Sequence, residues 1–181
     1  MLNLPNLVTL LRLLLIPVVI INLLEGRLKL ALLFFILAGL SDALDGFLAR
    51  ALNQKTFLGA VLDPIADKLL LNSVYLLGAY LELLPDWLAV IVLSRDILIL
   101  IGFGILVFYT KRLEVHPTIL SKCTTASQIL TVVLTLGRFA EEILRASFLF
   151  TGGLTLASGF HYLWLGIKVL EKNVENQKGV P

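Results

Sequence analysis

Asp42-Ala43-Leu44-Asp45-Gly46-Phe47-Leu48-Ala49-Arg50, followed after eight residues by Gly59 and then by Asp63 and Asp67, places four carboxylates in an otherwise apolar chain. A charged side chain at the centre of a membrane helix costs about 2.5–3.5 kcal/mol on insertion scales. Four acids therefore demand compensating positive charge, and carboxylate oxygens suit a hard divalent metal ion. The stretch reads as a metal-dependent active site.

Helical geometry orders these residues. Asp42 and Asp45 are three apart and Asp63 and Asp67 four apart, so each pair shares one helix face. If the two helices pack antiparallel across Asn53-Gln54-Lys55, the pairs converge on an oxygen-rich cage of the kind Mg²⁺ or Mn²⁺ prefers. Gly46 and Gly59 clear side chains from beside the acids, which lets a backbone or a ligand approach. Arg50, about two turns beyond Asp42, carries a fork of donors suited to a phosphate oxygen. Set against Arg50 and Lys68, the four Asp keep a formal surplus of two negative charges. A purely structural ion-pair network has little reason to carry that surplus, whereas divalent ions bound with substrate phosphates absorb it. A transporter using the acids as a proton or cation relay is the rival from another class. Nothing in a relay needs Gly46, Ala49, Arg50 and Gly59.

Around this stretch the composition is that of a chain dissolved in lipid: 58% hydrophobic and 15% charged residues, with a mean hydropathy of +0.93. A span needs about 20 apolar residues, and breaks in the pattern delimit six: Leu7–Leu24, Leu28–Ala51, Phe57–Leu84, Trp87–Phe108, Thr118–Leu136 and Ile143–Val169. Gly26, Pro85, Pro117 and Gly137 punctuate them. The first segment has Arg12 inside it and no small-residue cleavage site before Glu25, so it reads as a retained span rather than a signal peptide. The expected fold is an all-α integral membrane protein, with residues 1–170 as one six-helix catalytic domain and 171–181 as a polar C-terminal tail.

With both termini cytoplasmic, Arg12, Arg50, Lys55, Lys68, Lys111, Arg112, Lys122, Lys168, Lys172 and Lys178 face inward. Arg27, Lys29, Arg138 and Arg145 face outward, and Arg95 lies within a span. Ten against four follows the positive-inside rule, and it sets the acidic cluster at the cytoplasmic ends of spans two and three. A net charge of +2 is no nucleic-acid signature, and the single Cys123, which cannot form an intrachain disulfide, reads as a small hydrophobe in a helix.

The run Asp-x2-Asp-Gly-x2-Ala-Arg-x8-Gly-x3-Asp-x3-Asp, complete from Asp42 to Asp67, resembles the signature of the CDP-alcohol phosphotransferase (phosphatidyltransferase) family. Eight fixed positions coincide by chance only about once in 10⁹ trials. The opening Leu4-Pro5-Asn6-x2-Thr9-x2-Arg12 and the six-helix length fit the same resemblance. It implies a six-transmembrane-helix bundle, assembled as a homodimer in a bacterial cytoplasmic membrane. It implies also that CDP-diacylglycerol donates a phosphatidyl group to an alcohol with release of CMP. Two divalent cations are implied, Mg²⁺ or Mn²⁺, held mainly by Asp42, Asp45 and Asp63, with Asp67 sharing the second ion and acting as general base. Asp45, Gly46, Ala49, Arg50 and Gly59 would lie near the CDP moiety.

Ser94-Arg95-Asp96 in span four and Pro117-Thr118-x2-Ser121-Lys122-x2-Thr125-x2-Gln128 opening span five are similar to the glycerol-lipid branch of that family. In that branch phosphatidylglycerophosphate synthases take glycerol 3-phosphate and eukaryote-like cardiolipin synthases take phosphatidylglycerol. Glycerol 3-phosphate is the first expectation here. Phe103, where the former commonly carry a second span-four arginine, favours phosphatidylglycerol as the alternative. Arg12, Arg95, Arg112 and Lys122 are the candidate acceptor-binding residues, because a phosphorylated acceptor needs basic groups around it. Arg95 and Asp96, adjacent in sequence, are expected on different helix faces and not as each other's partners, with Asp96 securing neighbouring polar groups.

The remaining conspicuous residues read as structural. His116 and His161 are too far apart in sequence to suggest a histidine metal site. Trp87, Tyr109, Tyr162 and Trp164 lie near span ends, where aromatic belts form. Gly102, Gly104, Gly152, Gly153 and Gly159 permit close helix packing, within the chain or between two chains.

Overall fold

The breaks between the apolar runs fall between helices in the computed structural model, which describes the backbone of residues 4–51, 57–110 and 118–178 and the side chains of 12–41, 68–102, 118–166 and 168. Among the described residues there are six helices: α1 (Leu4–Leu24), α2 (Leu28–Ala51), α3 (Phe57–Tyr80), α4 (Asp86–Thr110), α5 (Ile119–Leu136) and α6 (Glu141–Lys178). Gly26 makes the turn from α1 to α2 at φ +70°, a left-handed conformation that glycine adopts without the steric cost a Cβ brings. Thr118 caps α5, its side-chain oxygen accepting from the Ser121 N–H at 3.2 Å. Gly137 closes the same helix.

Two boundaries differ from the expectation by four residues or more. α3 stops at Tyr80 rather than Leu84, because the chain turns through Glu82 at φ 58° and the N–H groups of Leu83 and Leu84 both donate to the Gly78 carbonyl. α6 runs past Val169 to Lys178, so no helix end separates a polar tail at residue 170. A helix satisfies its backbone internally whatever its side chains, so a change of composition does not stop it.

α1 packs on α2 and α3, and α6 packs on α4 and α5; α3 against α4 joins the two groups. Val19, Leu23, Ala31, Phe35, Leu71, Val74, Leu88, Val92 and Val132 meet in the core. The outward faces are equally apolar, with Leu14, Leu33, Leu76, Val90, Leu130, Leu149 and Phe160 exposed. Inside, by contrast, lie Arg12, Arg95, Asp96, Thr124, Gln128, Thr131, Thr155 and Ser158. Polar groups buried within and hydrocarbon turned outward is the arrangement a lipid solvent favours. Among the described residues, two helical stretches are long and apolar enough to cross a membrane, residues 119–136 and 141–166.

Candidate active site

Asp42, Asp45, Gly46, Ala49 and Arg50 fall on the last turns of α2, and Gly59, Asp63 and Asp67 on the first half of α3. The expected i,i+3 and i,i+4 spacings are therefore spacings along helices that pack against each other. The side chains of these eight residues lie outside the described residues, as do Phe103, Arg112 and His116. The polar layer bordering the motif is described, and it begins at Lys68, the residue that follows Asp67.

The described partner of Lys68 lies outside the quartet it was weighed against. Its Nζ donates to Asp96 Oδ1 on α4 at 2.9 Å. Consecutive helix positions are turned about 100° apart, so position 68 leaves the face shared by 63 and 67. Lys68 thus has a described counter-charge on α4, in addition to whatever it shares with the motif in the formal count.

Arg95 and Asp96 are also corrected. They are partners, with Arg95 Nη1 2.7 Å from Asp96 Oδ1. The two Cα–Cβ bonds diverge, but the arginine stem is long enough to bring its guanidinium back to the next residue. The other terminal nitrogen, Nη2, donates to Ser121 Oγ on α5 at 2.6 Å and to Ser158 Oγ on α6 at 3.1 Å. The Tyr162 ring lies under the guanidinium carbon at 5.9 Å. One arginine thus binds three helices together.

The side chains of Arg95 and Asp96 are 3% and 0% exposed. Their cluster with Lys68 holds two cations and one anion, a net charge of +1 beside the motif. Asp96 takes both bonds on Oδ1; its Oδ2 is buried with no hydrogen-bond partner among the described residues. The expectation that Asp96 secures neighbouring polar groups is met. Of the other acceptor candidates, Arg12 is buried at 1% exposure and Lys122 is exposed on the first turn of α5.

Sequence reasoning missed a second polar feature, a seam between α5 and α6. Gln128 Nε2 donates to Thr155 Oγ1 at 3.2 Å, the hydroxyls of Thr131 and Thr151 bond at 2.8 Å, and Thr124 Oγ1 reaches the Leu154 carbonyl at 3.2 Å. Tyr75 of α3 donates to the Gln128 carbonyl at 3.0 Å. The signal was present as Thr124, Gln128, Thr131 and Thr135 at i, i+4, i+7 and i+11, facing Thr151, Thr155 and Ser158 at i, i+4 and i+7. Gly152 lies on the same helix, and a Cβ there would sit 2.6 Å from Trp87 Cζ3, so this glycine serves the α4–α6 contact within the chain.

Comparison with known proteins places this arrangement in context. A family model described as CDP-alcohol phosphatidyltransferase matches residues 2–161. Cardiolipin synthase (CMP-forming) of Homo sapiens is 33% identical, the match covering 93% of this chain and 63% of that protein. Two proteins named CDP-diacylglycerol--glycerol-3-phosphate 3-phosphatidyltransferase are also similar. That of Bacillus subtilis is 34% identical over 73% of this chain and 75% of its own. That of Aquifex aeolicus is 38% identical over 68% and 69%. The chain spans a little under two thirds of the length of the human protein and its rat counterpart, 63% in each case.

Proposed function

The chain belongs to the CDP-alcohol phosphatidyltransferase family, and from that premise we propose that it transfers a phosphatidyl group from CDP-diacylglycerol to a glycerol-bearing acceptor and releases CMP. The observation that carries this reading is the complete motif from Asp42 to Asp67, lying within the matched region and distributed over two packed helices.

In this proposal Asp42, Asp45 and Asp63 hold two divalent ions, Mg²⁺ or Mn²⁺, with Asp67 sharing the second. The donor set fits, because it offers only hard carboxylate oxygens, and the neighbouring Lys68 has its own counter-charge in Asp96. Bound ions would supply positive charge against the pyrophosphate. Arg50 donates to a phosphate oxygen, and Gly46, Ala49 and Gly59 leave room for the nucleotide beside Asp45. Asp67 accepts the proton of the acceptor hydroxyl as that oxygen attacks the phosphatidyl phosphorus. The bond from that phosphorus to the bridging oxygen breaks, and CMP leaves with the electron pair. All six helices span the bilayer in this reading, with the termini and the motif toward the cytoplasm of a bacterial cell.

For the acceptor we place phosphatidylglycerol ahead of glycerol 3-phosphate, reversing the order of the first expectation. Three observations support the change. Phe103 stands where a second basic residue would help to hold a phosphate dianion. Of the basic candidates, Arg95 is already bonded to Asp96, Ser121 and Ser158. Similarity to the human cardiolipin synthase extends over 93% of the chain, against 73% for the Bacillus protein. Purified protein in detergent, given CDP-diacylglycerol, is expected to release CMP with phosphatidylglycerol and to form cardiolipin. Asp67→Ala is expected to lose at least about 10²-fold in rate, the lower end of general acid–base contributions. Turnover with glycerol 3-phosphate alone would return the acceptor to the first expectation, and no CMP with either would remove the reaction itself.

A further inference from the structure

The Lys68–Asp96 bond joins the motif helix to α4 at the residue after Asp67, and neither the motif nor the acceptor reading has a use for it. A lysine at that point works against a cation site. Its ammonium sits on a flexible stem, one Cα step of about 3.8 Å from the last motif aspartate, and a positive charge so close opposes divalent binding. We propose that Asp96 is a positioning residue for the divalent-ion site: it holds the Lys68 ammonium on the α4 side of α3, so that this charge does not compete with metal ions for the motif carboxylates. This inference rests on the reading of the Asp42–Asp67 quartet as the metal site.

Three features of the cluster fit the role. Asp96 is fully buried and its Oδ1 accepts from Lys68 at 2.9 Å and from Arg95 at 2.7 Å, so one carboxylate restrains both cations. The Lys68 side chain is 22% exposed, which leaves it free to swing once Asp96 lets go. Arg95 is held independently by Ser121 and Ser158 and stays in place when the aspartate is neutralised. Losing the carboxylate charge therefore releases Lys68 in particular, and raises the local charge from +1 to +2.

The test is Mn²⁺ binding to the purified full chain, followed by the electron paramagnetic resonance signal of free Mn²⁺ with no nucleotide or lipid substrate present. Asp96→Asn is expected to raise the half-saturating Mn²⁺ concentration about tenfold or more. Adding Lys68→Met to Asp96→Asn is expected to bring it back to within about threefold of the wild-type value. Lys68→Met alone removes the ammonium and keeps the Arg95–Asp96 pair; it is expected to bind Mn²⁺ at least as tightly as wild type. If Asp96→Asn does not fold, this single variant still exposes the inference to refutation, since weaker Mn²⁺ binding overturns it. An Asp96→Asn protein with wild-type Mn²⁺ binding, a double variant as weak as Asp96→Asn, or a Lys68→Met protein that binds Mn²⁺ more weakly overturns the inference. A merely structural role would lower the thermal stability of Asp96→Asn and leave its Mn²⁺ binding unmoved. Wild-type protein that binds no Mn²⁺ would remove the metal-site reading instead, and with it the ground on which this inference stands.

Discussion

Replacing Arg95 and Asp96 separately and together measures what the buried cluster contributes to stability. Arg95→Leu removes one cation but leaves Asp96 its 2.9 Å bond to Lys68, so the carboxylate keeps a counter-charge. The bonds from Nη2 to Ser121 and Ser158 are lost as well. Breaking a buried ion pair costs about 3–5 kcal/mol, and the surviving partner puts this variant at the lower end, about 3 kcal/mol. Asp96→Leu instead strands Arg95, whose side chain is 3% exposed, together with Lys68. That belongs at the upper end, about 5 kcal/mol. For a chain of this size each kcal/mol moves the melting temperature by about 2–4 °C, so the shifts are roughly 6–12 °C and 10–20 °C. The double variant Arg95→Leu/Asp96→Leu exchanges the pair for packed hydrocarbon, an exchange that is commonly neutral or stabilising. It should therefore recover most of the loss, because Lys68, unlike Arg95, is not sealed in the core. Thermal unfolding in detergent, followed by tryptophan fluorescence and circular dichroism, reads all three. A double variant no more stable than Asp96→Leu alone would refute the reasoning, because the cost would then lie in lost shape rather than in orphaned charge.

Thr131→Val removes the 2.8 Å bond to Thr151 between α5 and α6; the expected cost is about 0.6 kcal/mol, the average for such bonds in membrane bundles, read from the same unfolding curves. Gly152→Val puts a branched side chain where even a Cβ would lie 2.6 Å from the Trp87 ring. Overpacking of this kind costs about 1–3 kcal/mol, and the Trp87 emission should shift as the ring moves. Chelation of divalent ions should reduce CMP release to background, with recovery on adding Mn²⁺ or Mg²⁺; a chelated enzyme that turns over normally would contradict the role given to the aspartates.

Helix number and most helix ends were legible in the sequence because the signals are local. A run of apolar residues must satisfy its backbone internally, and Gly26, Pro85, Pro117 and Gly137 punctuate the runs. The two largest differences have a common cause, composition standing in for conformation: Leu81, Leu83 and Leu84 are apolar but lie in a turn around Glu82, and residues 171–178 are largely polar but helical. The motif from Asp42 to Asp67 was legible for a different reason, since fixed residue types at fixed spacings on two helices are already a pattern before the chain folds. The family match over residues 2–161 agrees with it.

Pairing was not legible. Arg95 and Asp96 were separated by helical periodicity, yet a long flexible stem overrides the 100° step between neighbours, and the guanidinium settles where Asp96, Ser121 and Ser158 converge. The partner of Lys68 lies 28 residues away on another helix, and the threonine seam depends on which faces of α5 and α6 meet. Such contacts are decided by the rotation of each helix about its axis and by the order in which helices pack, and one-dimensional spacing carries neither. The sequence by itself therefore determined that this chain is helical, apolar outside and armed with a carboxylate quartet on two helices. Only the tertiary structure decided that Lys68 and Arg95 both answer to the buried Asp96, because a charge in a medium of low dielectric is governed by whatever lies within a few ångströms of it.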